Sequence, residues 1–201
     1  KLEIESVVSR PPLVVGYWIP RKNIIFGKWM RHTGWYPDHQ LRLFKRGKGK
    51  FPEEHVHEMI KVDGETGHLS GHIEHYNYET VSQFLHKLDY IYTPNEAEVM
   101  LKKGYQFNWR DVLGMPAKEF IKRFFVQKGY KDGLHGLSLS MLMAFYHLVI
   151  FVKVWERQGF KEQDIDLHIL KKTGRKMRRE MRYWFLTSLM EEARNPITKI
   201  L

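Results

Sequence analysis

The chain has 201 residues, 43% of them hydrophobic and 28% charged, which is enough for one domain with a real core. Lysine and arginine exceed aspartate and glutamate by 33 to 23, and this formal charge of +10 favours phosphate-bearing partners: nucleotides, anionic lipid headgroups or nucleic acid. The absence of cysteine excludes disulfides and thiolate metal sites and fits a reducing compartment, and the start at Lys1 with no signal pattern reads as a fragment of a larger protein.

In chain order, Lys1 to Ser9 reads as the end of a helix, broken by Arg10-Pro11-Pro12. Leu13 to Ile19 and Asn23 to Phe26 read as two short strands separated by Pro20-Arg21-Lys22, and Trp29 to Pro37 as an aromatic loop. His39 to Phe44 alternates as a strand, Lys45 to Lys50 is a basic turn, and Met59 to Val62 is another strand ended by Asp63-Gly64. His68 to Tyr78 is extended and punctuated by glycine.

After Tyr78 the period changes from two to nearly four. Val81, Phe84, Leu85, Leu88 and Ile91 share a helical face. Thr93-Pro94-Asn95-Glu96 reads as a capping box opening a second helix, closed by Gly104, and Met115-Pro116 as the start of a third, ending near Gly129. From Leu137 to Val152 no charged residue occurs. That helix would be roughly 24 Å long, short of a ~30 Å hydrocarbon core, so it suits a buried core helix or a segment lying in a membrane interface. Lys171 to Arg182 supplies seven cations, followed by Tyr183-Trp184-Phe185. Cations beside aromatics suit an anionic bilayer surface, which makes Leu142, Phe145, Val149, Arg175, Arg179, Arg182 and Trp184 candidate membrane contacts; a solvated basic helix is the alternative. Asp164-Ile165-Asp166 follows no apolar strand and reads as a helix start.

The densest chemistry lies between Gly34 and Glu58, where an aromatic-proline turn, a strand, a basic tip and Glu53-Glu54-His55-Val56-His57-Glu58 follow one another. Carboxylates and imidazoles placed together suit proton transfer. The segments GYWIPRKNIIFGKWMRHTGWYPDHQLRLFKRGKGKF, HVHE and GHLSGHIEHYNY, continued by FLHKLDYIYT and FIKRFFVQKGYKDGLHGL, together resemble the second half of an inverting family 2 glycosyltransferase. The likeness covers roughly residues 16 to 157 and is nearest to bacterial lipopolysaccharide-core glucosyltransferases.

That resemblance implies an α/β protein, α+β in this fragment: residues 1–78 as the strand-rich, acceptor-side half of a GT-A Rossmann-like domain, and residues 79–201 as a helical, membrane-associated C-terminal region. It implies an enzyme at the cytoplasmic face of the bacterial inner membrane, with a nucleotide-sugar donor, a lipid-linked or lipopolysaccharide acceptor, and Mg²⁺ or Mn²⁺. The metal would be bound mostly upstream of Lys1, so the isolated chain is expected to be inactive.

By the same resemblance Glu58 is the first choice for catalytic base and Glu54 the second, although Glu58 equally suits a pair with Lys45, Arg46 or Lys48. His75, His57, Lys87 and Arg42 fall on the diphosphate and metal side, with His75 a metal ligand or a structural histidine and Lys87 a phosphate contact or a surface lysine. Trp35, Tyr36 and Asp38 suit an acceptor-sugar platform, with Asp38 equally a turn residue. His68, His72 and His75 share helical spacing, but Gly67 and Gly71 oppose a helix there, and no structural zinc site is expected. Two other function classes compete: a basic nucleic-acid-binding module built on Arg175–Arg182 and the Lys45–Lys50 tip, and a non-catalytic membrane-surface scaffold. No nucleic-acid motif supports the former, and a nucleic-acid partner is not expected.

Overall fold

The computed structural model describes residues 2–8, 14–50 and 60–194. The chain forms two compact units, Lys1–Glu79 and Thr80–Leu201, and their segregated strands and helices make a mixed α/β protein of the α+β kind.

The first unit is built around one long strand. After a short helix α1 (Leu2–Val8), β1 (Gly16–Ile25) pairs antiparallel with β2 (Lys28–Trp29) and β3 (Asp38–Phe44), and parallel with β6 (Thr66–His68) and β7 (Ile73–Tyr78). A separate two-stranded ribbon joins β4 (Gly49–Lys50) to β5 (Lys61–Val62). The two short strands expected around Pro20 are therefore one. Proline survives there because β6 covers only Gly16–Trp18 and β7 only Arg21–Ile25, so its missing N–H falls in the gap between them. Trp18, two residues earlier, turns its carbonyl to that same side and accepts from Leu69 N at 2.9 Å. Ile19, Ile25, Met30, Leu41, Leu69 and Tyr78 form the core.

The second unit is helical. Thr80 caps α2 (Val81–Lys87), its side chain accepting from Gln83 N at 3.1 Å. The helix does not stop at Thr93. It widens to π geometry over Leu88–Tyr92 and runs on as α3 (Thr93–Lys102). A proline clashes with the carbonyl four residues back, and one wider turn relieves this. Thr93 is helical rather than a cap, and its backbone N and its Oγ1 (2.8 Å) both donate to Leu88 O. The third helix also starts earlier than Met115. Asn108 accepts from Arg110 N at 3.0 Å and opens α4 (Trp109–Ile121), which passes through Pro116 and ends in a π turn at Lys122–Val126.

α5 (Leu134–Arg157) packs on α3 and α4 through Leu139, Ser140, Ile150, Phe151 and Val154. Complete burial of Leu139 and Val154 stabilises by about 1.5–3 kcal/mol each. Near its start a Cβ on Gly136 would stand 1.8 Å from Gly129 O, so only glycine lets the helix meet that turn. Its other face keeps Leu134, Leu137, Met141, Phe145 and Val152 in solvent at helical spacing. Among the described residues it is the one helix long and apolar enough to cross a membrane, and 28% of that stretch is buried. The apolar run is thus part core and part surface. α6 (Leu167–Arg194) begins at Asp166, whose Oδ1 accepts from His168 N and Ile169 N, as the sequence suggested, and buries none of its residues.

Candidate functional site

The polar centre of the sheet unit grows from the alternation of β1. Arg21 and Asn23 share one face, and register places Arg21 opposite Asp38 on β3 and Asn23 opposite His75 on β7. Asp38 Oδ2 accepts from Arg21 Nε at 2.8 Å, from Arg21 Nη2 and from Asn23 Nδ2 at 3.1 Å, while Oδ1 accepts from Gln40 Nε2 at 2.8 Å. Burial alone would raise the Asp38 pKa; the hydrogen bonds from Arg21, Asn23 and Gln40 and the Arg21 charge override it and hold the carboxyl below its ordinary value. Asp38 is therefore ionised and fully engaged at neutral pH, an anchor rather than a proton acceptor.

Asn23 is completely buried and links three partners. Its Nδ2 donates to Trp35 O at 2.8 Å as well as to Asp38, which fixes the amide orientation. Its Oδ1 then faces His75 Nδ1 at 2.8 Å. An acceptor there makes Nδ1 the protonated nitrogen of the neutral ring and leaves the lone pair on Nε2. His75 is half-buried and so oriented by its neighbours.

The opposite face of β1 carries a different group. Lys22 bonds Glu74 Oε1 at 2.9 Å, and its ammonium lies 5.0 Å from the Trp29 ring. Arg31 covers the same ring at 4.3 Å, and Tyr36 and His72 meet it at 5.3 and 6.1 Å. Trp35 and Tyr36, grouped by sequence as one platform, thus have different neighbours: Trp35 lies edge-on to Tyr78 and Tyr36 edge-on to Trp29. Arg42 is exposed, as the extra residue of a β-bulge opposite Tyr17 and Trp18. Lys87 is half-buried at the end of α2. Glu53, Glu54, His55, His57 and Glu58 lie outside the described residues. Trp29 and Arg31 were not singled out as site residues by the sequence reading, and His72 was weighed only for zinc; the clustering of Trp29, Arg31 and Tyr36 in one short loop was the available signal.

In the helical unit, Leu142 and Val149 are half-buried and Phe145 is exposed on α5. Arg175, Arg179 and Arg182 are exposed on α6, and Trp184 is half-buried. Glu119, buried on α4, takes a 2.6 Å bond from Arg123 Nε, with His147 Nε2 at 3.8 Å. Burial pushes the His147 pKa below its ordinary value despite that carboxylate.

The chain is similar to the lipopolysaccharide core biosynthesis glycosyltransferase LpsC of Rhizobium meliloti (strain 1021), 24% identical over 156 residues. The match takes in 77% of this chain and 53% of the relative, so the chain spans about half the length of the protein it matches. No protein-family model and no solved structure matches it. The likeness supports a glycosyltransferase relationship.

Proposed function

We propose that this chain is the acceptor-side half of an inverting family 2 glycosyltransferase of the GT-A type. Its substrates in this reading are a nucleotide-sugar and a lipopolysaccharide-core or other lipid-linked glycan, at the cytoplasmic face of the bacterial inner membrane. The observation that carries the reading is the extent of the likeness to LpsC. At 156 residues it is longer than either unit and must cross from the sheet unit into the helical one.

In the reaction a carboxylate takes the proton of the acceptor hydroxyl while its oxygen bonds to the anomeric carbon. The bond to the diphosphate breaks on the opposite side, and its electron pair leaves with the diphosphate. Glu58 is assigned as the base and Glu54 as its alternate. His75, His57, Lys87 and Arg42 are assigned to the diphosphate side, and Trp35 and Tyr36 to the acceptor. Asp38 serves that platform by fixing Arg21 and Asn23. The described residues alone do not fit a divalent cation, since they contain no cluster of three or more ligating side chains. In this reading Mg²⁺ or Mn²⁺ is held mostly upstream of Lys1. The exposed apolar face of α5 and the cations of α6 support contact with an anionic bilayer.

The test is sugar transfer by the longer protein containing this chain. Glu58→Gln is expected to keep the fold and nucleotide-sugar binding and to lower transfer about 10²–10⁴-fold, because an amide cannot take the proton. Full transfer by Glu58→Gln would move the base to Glu54, and full transfer by the double variant would end the reading. Purified residues 1–201 are expected not to consume donor.

A further inference from the structure

The geometry points to a second ligand site, within the helical unit: a cleft for one phosphorylated amphiphile, its phosphate on the basic side of the α4–α6 seam and its chain in the apolar cavity beside it. The site does not depend on the sugar-transfer reading.

Helices α4 and α6 both contribute to the linings of two cavities. The first, about 1050 Å³, is lined by Arg110 of α4 and by Ile169, Lys172, Thr173 and five further positions through Arg182 on α6, none of them acidic. Seven of its lining residues are cationic. Of these seven, only Lys176 has an acidic partner among the described residues, Glu180 at 4.0 Å. Such a concentration of like charge with so little internal compensation favours an anion with several oxygens, and arginine suits phosphate through its paired donors.

The second cavity, about 630 Å³, is walled by Trp109, Val112 and Leu113 of α4, Val152 and Trp155 of α5, and Leu170 of α6, and the exposed stretch 161–165 completes it with Ile165 and with the charged Lys161, Glu162 and Asp164. Its size falls within the range of about 300–1,000 Å³ typical of ligand pockets. Sequence neighbours on both helices turn to different cavities. Trp109 faces the apolar one and Arg110 the basic one; Leu170 faces the apolar one and Ile169 the basic one.

The apolar wall is preformed. Gln158 accepts from Phe107 N at 3.0 Å and donates to Tyr105 O at 2.9 Å. Gln163 repeats the pattern two residues on, accepting from Trp109 N at 3.1 Å and donating to Phe107 O at 2.7 Å. Each side-chain amide bonds one N–H and one carbonyl and so pins residues 105–109, the segment that leads into α4. Trp155 is fixed in turn by its Nε1 bond to Lys161 O at 2.8 Å and by stacking on Phe107. A charged ligand with no tail would leave this wall unused, and an uncharged one would leave the cations unused. A molecule with both parts uses the whole seam.

Calorimetric titration of the 201-residue chain with octyl, decyl and dodecyl phosphate, each below its micellar concentration, tests the inference. Affinity is expected to rise with chain length, by up to about fourfold per buried methylene. Inorganic phosphate and dodecyl maltoside should each bind far more weakly than dodecyl phosphate. Arg175→Glu with Arg179→Glu should weaken every alkyl phosphate by about tenfold or more while preserving the chain-length trend. Ile165→Asp, at an exposed rim position, should flatten that trend while leaving inorganic phosphate unchanged. Leu113→Asp is a second route to the same result should the first variant lose its wild-type circular dichroism. A flat chain-length trend in the wild type would overturn the site, as would a steep trend surviving in a folded rim variant. Tighter binding of a single-stranded RNA than of dodecyl phosphate, indifferent to Ile165→Asp, would make this a nucleic-acid surface instead.

Discussion

The sheet unit and the helical unit both bury polar side chains, but they differ in how those groups are joined and in how much apolar surface they expose. In the first, Asn23 and Thr33 are fully enclosed, and Arg21, Asp38, Gln40 and His75 are tied into one network through Asp38 and Asn23. The second turns apolar residues outward, on α5 and along the last half of α6, where Tyr183, Phe185, Leu186, Leu189 and Met190 are exposed. A buried, fully bonded polar network fixes side-chain direction, which chemistry on a small substrate needs. A large exposed apolar surface costs solubility and is characteristic of contact with a lipid or another apolar partner. The division of labour argued above follows from that contrast.

The largest expected effect lies in the helical unit. Gly136→Ala sets a methyl against the Gly129 carbonyl, and backbone cannot yield as a side chain tip does, so a loss of about 3 kcal/mol or more is expected in denaturant unfolding. Gly114→Ala is the internal control. It sits in α4 with nothing near its Cβ and should stabilise by up to about 1 kcal/mol. Equal effects from the two would mean that the α5 contact is looser than described.

In the sheet unit, Asn23→Ala removes the partner shared by Asp38, Trp35 O and His75 at once. A loss of about 2–3 kcal/mol is expected, with a changed His75 titration by NMR. A change within 0.5 kcal/mol (order of a surface substitution) would show that the network contributes little beyond orientation.

The smallest effect separates the units by pH. His147 has a lowered folded pKa, so its contribution is complete above about 6.5 and is lost as pH falls towards the folded value. Burial, together with repulsion from Arg123 and Lys122, outweighs the attraction that Glu119 and Glu96 offer the protonated ring. The Asp38 contribution is complete above about 4 and is lost only below that. Hydrogen exchange corrected for its intrinsic pH dependence should therefore show α4 and α5 loosening before β1 and β3, and His147→Gln should remove the early phase. Simultaneous loosening would break the distinction.

Much of the secondary structure is legible in the sequence because it is written in local periods. Alternation gives β3, the uncharged run gives the body of α5, and Asp166 marks the start of α6. Proline was the recurrent source of error. Pro20 reads as a break and Pro94 and Pro116 as helix starts, yet each lies inside a continuous element, Pro20 because of strand partners distant in sequence and Pro94 because of a widened turn. The site is less legible for the same reason. Asp38 is 17 residues from Arg21, and Asn23 is 52 from His75; only strand register brings them together. Local pattern reading identified His75 and Asp38 as chemically capable but had no means of joining them through Asn23.

Gln158 and Gln163 give the apolar wall a further property. Both linkages are made by uncharged amides, so the wall does not respond to ionic strength, unlike the arginines beside it. Raising salt should weaken the grip on a headgroup while the hydrocarbon slot keeps its shape. A ligand drawn in by charge could then remain lodged by its tail, released slowly even where it would no longer be captured quickly.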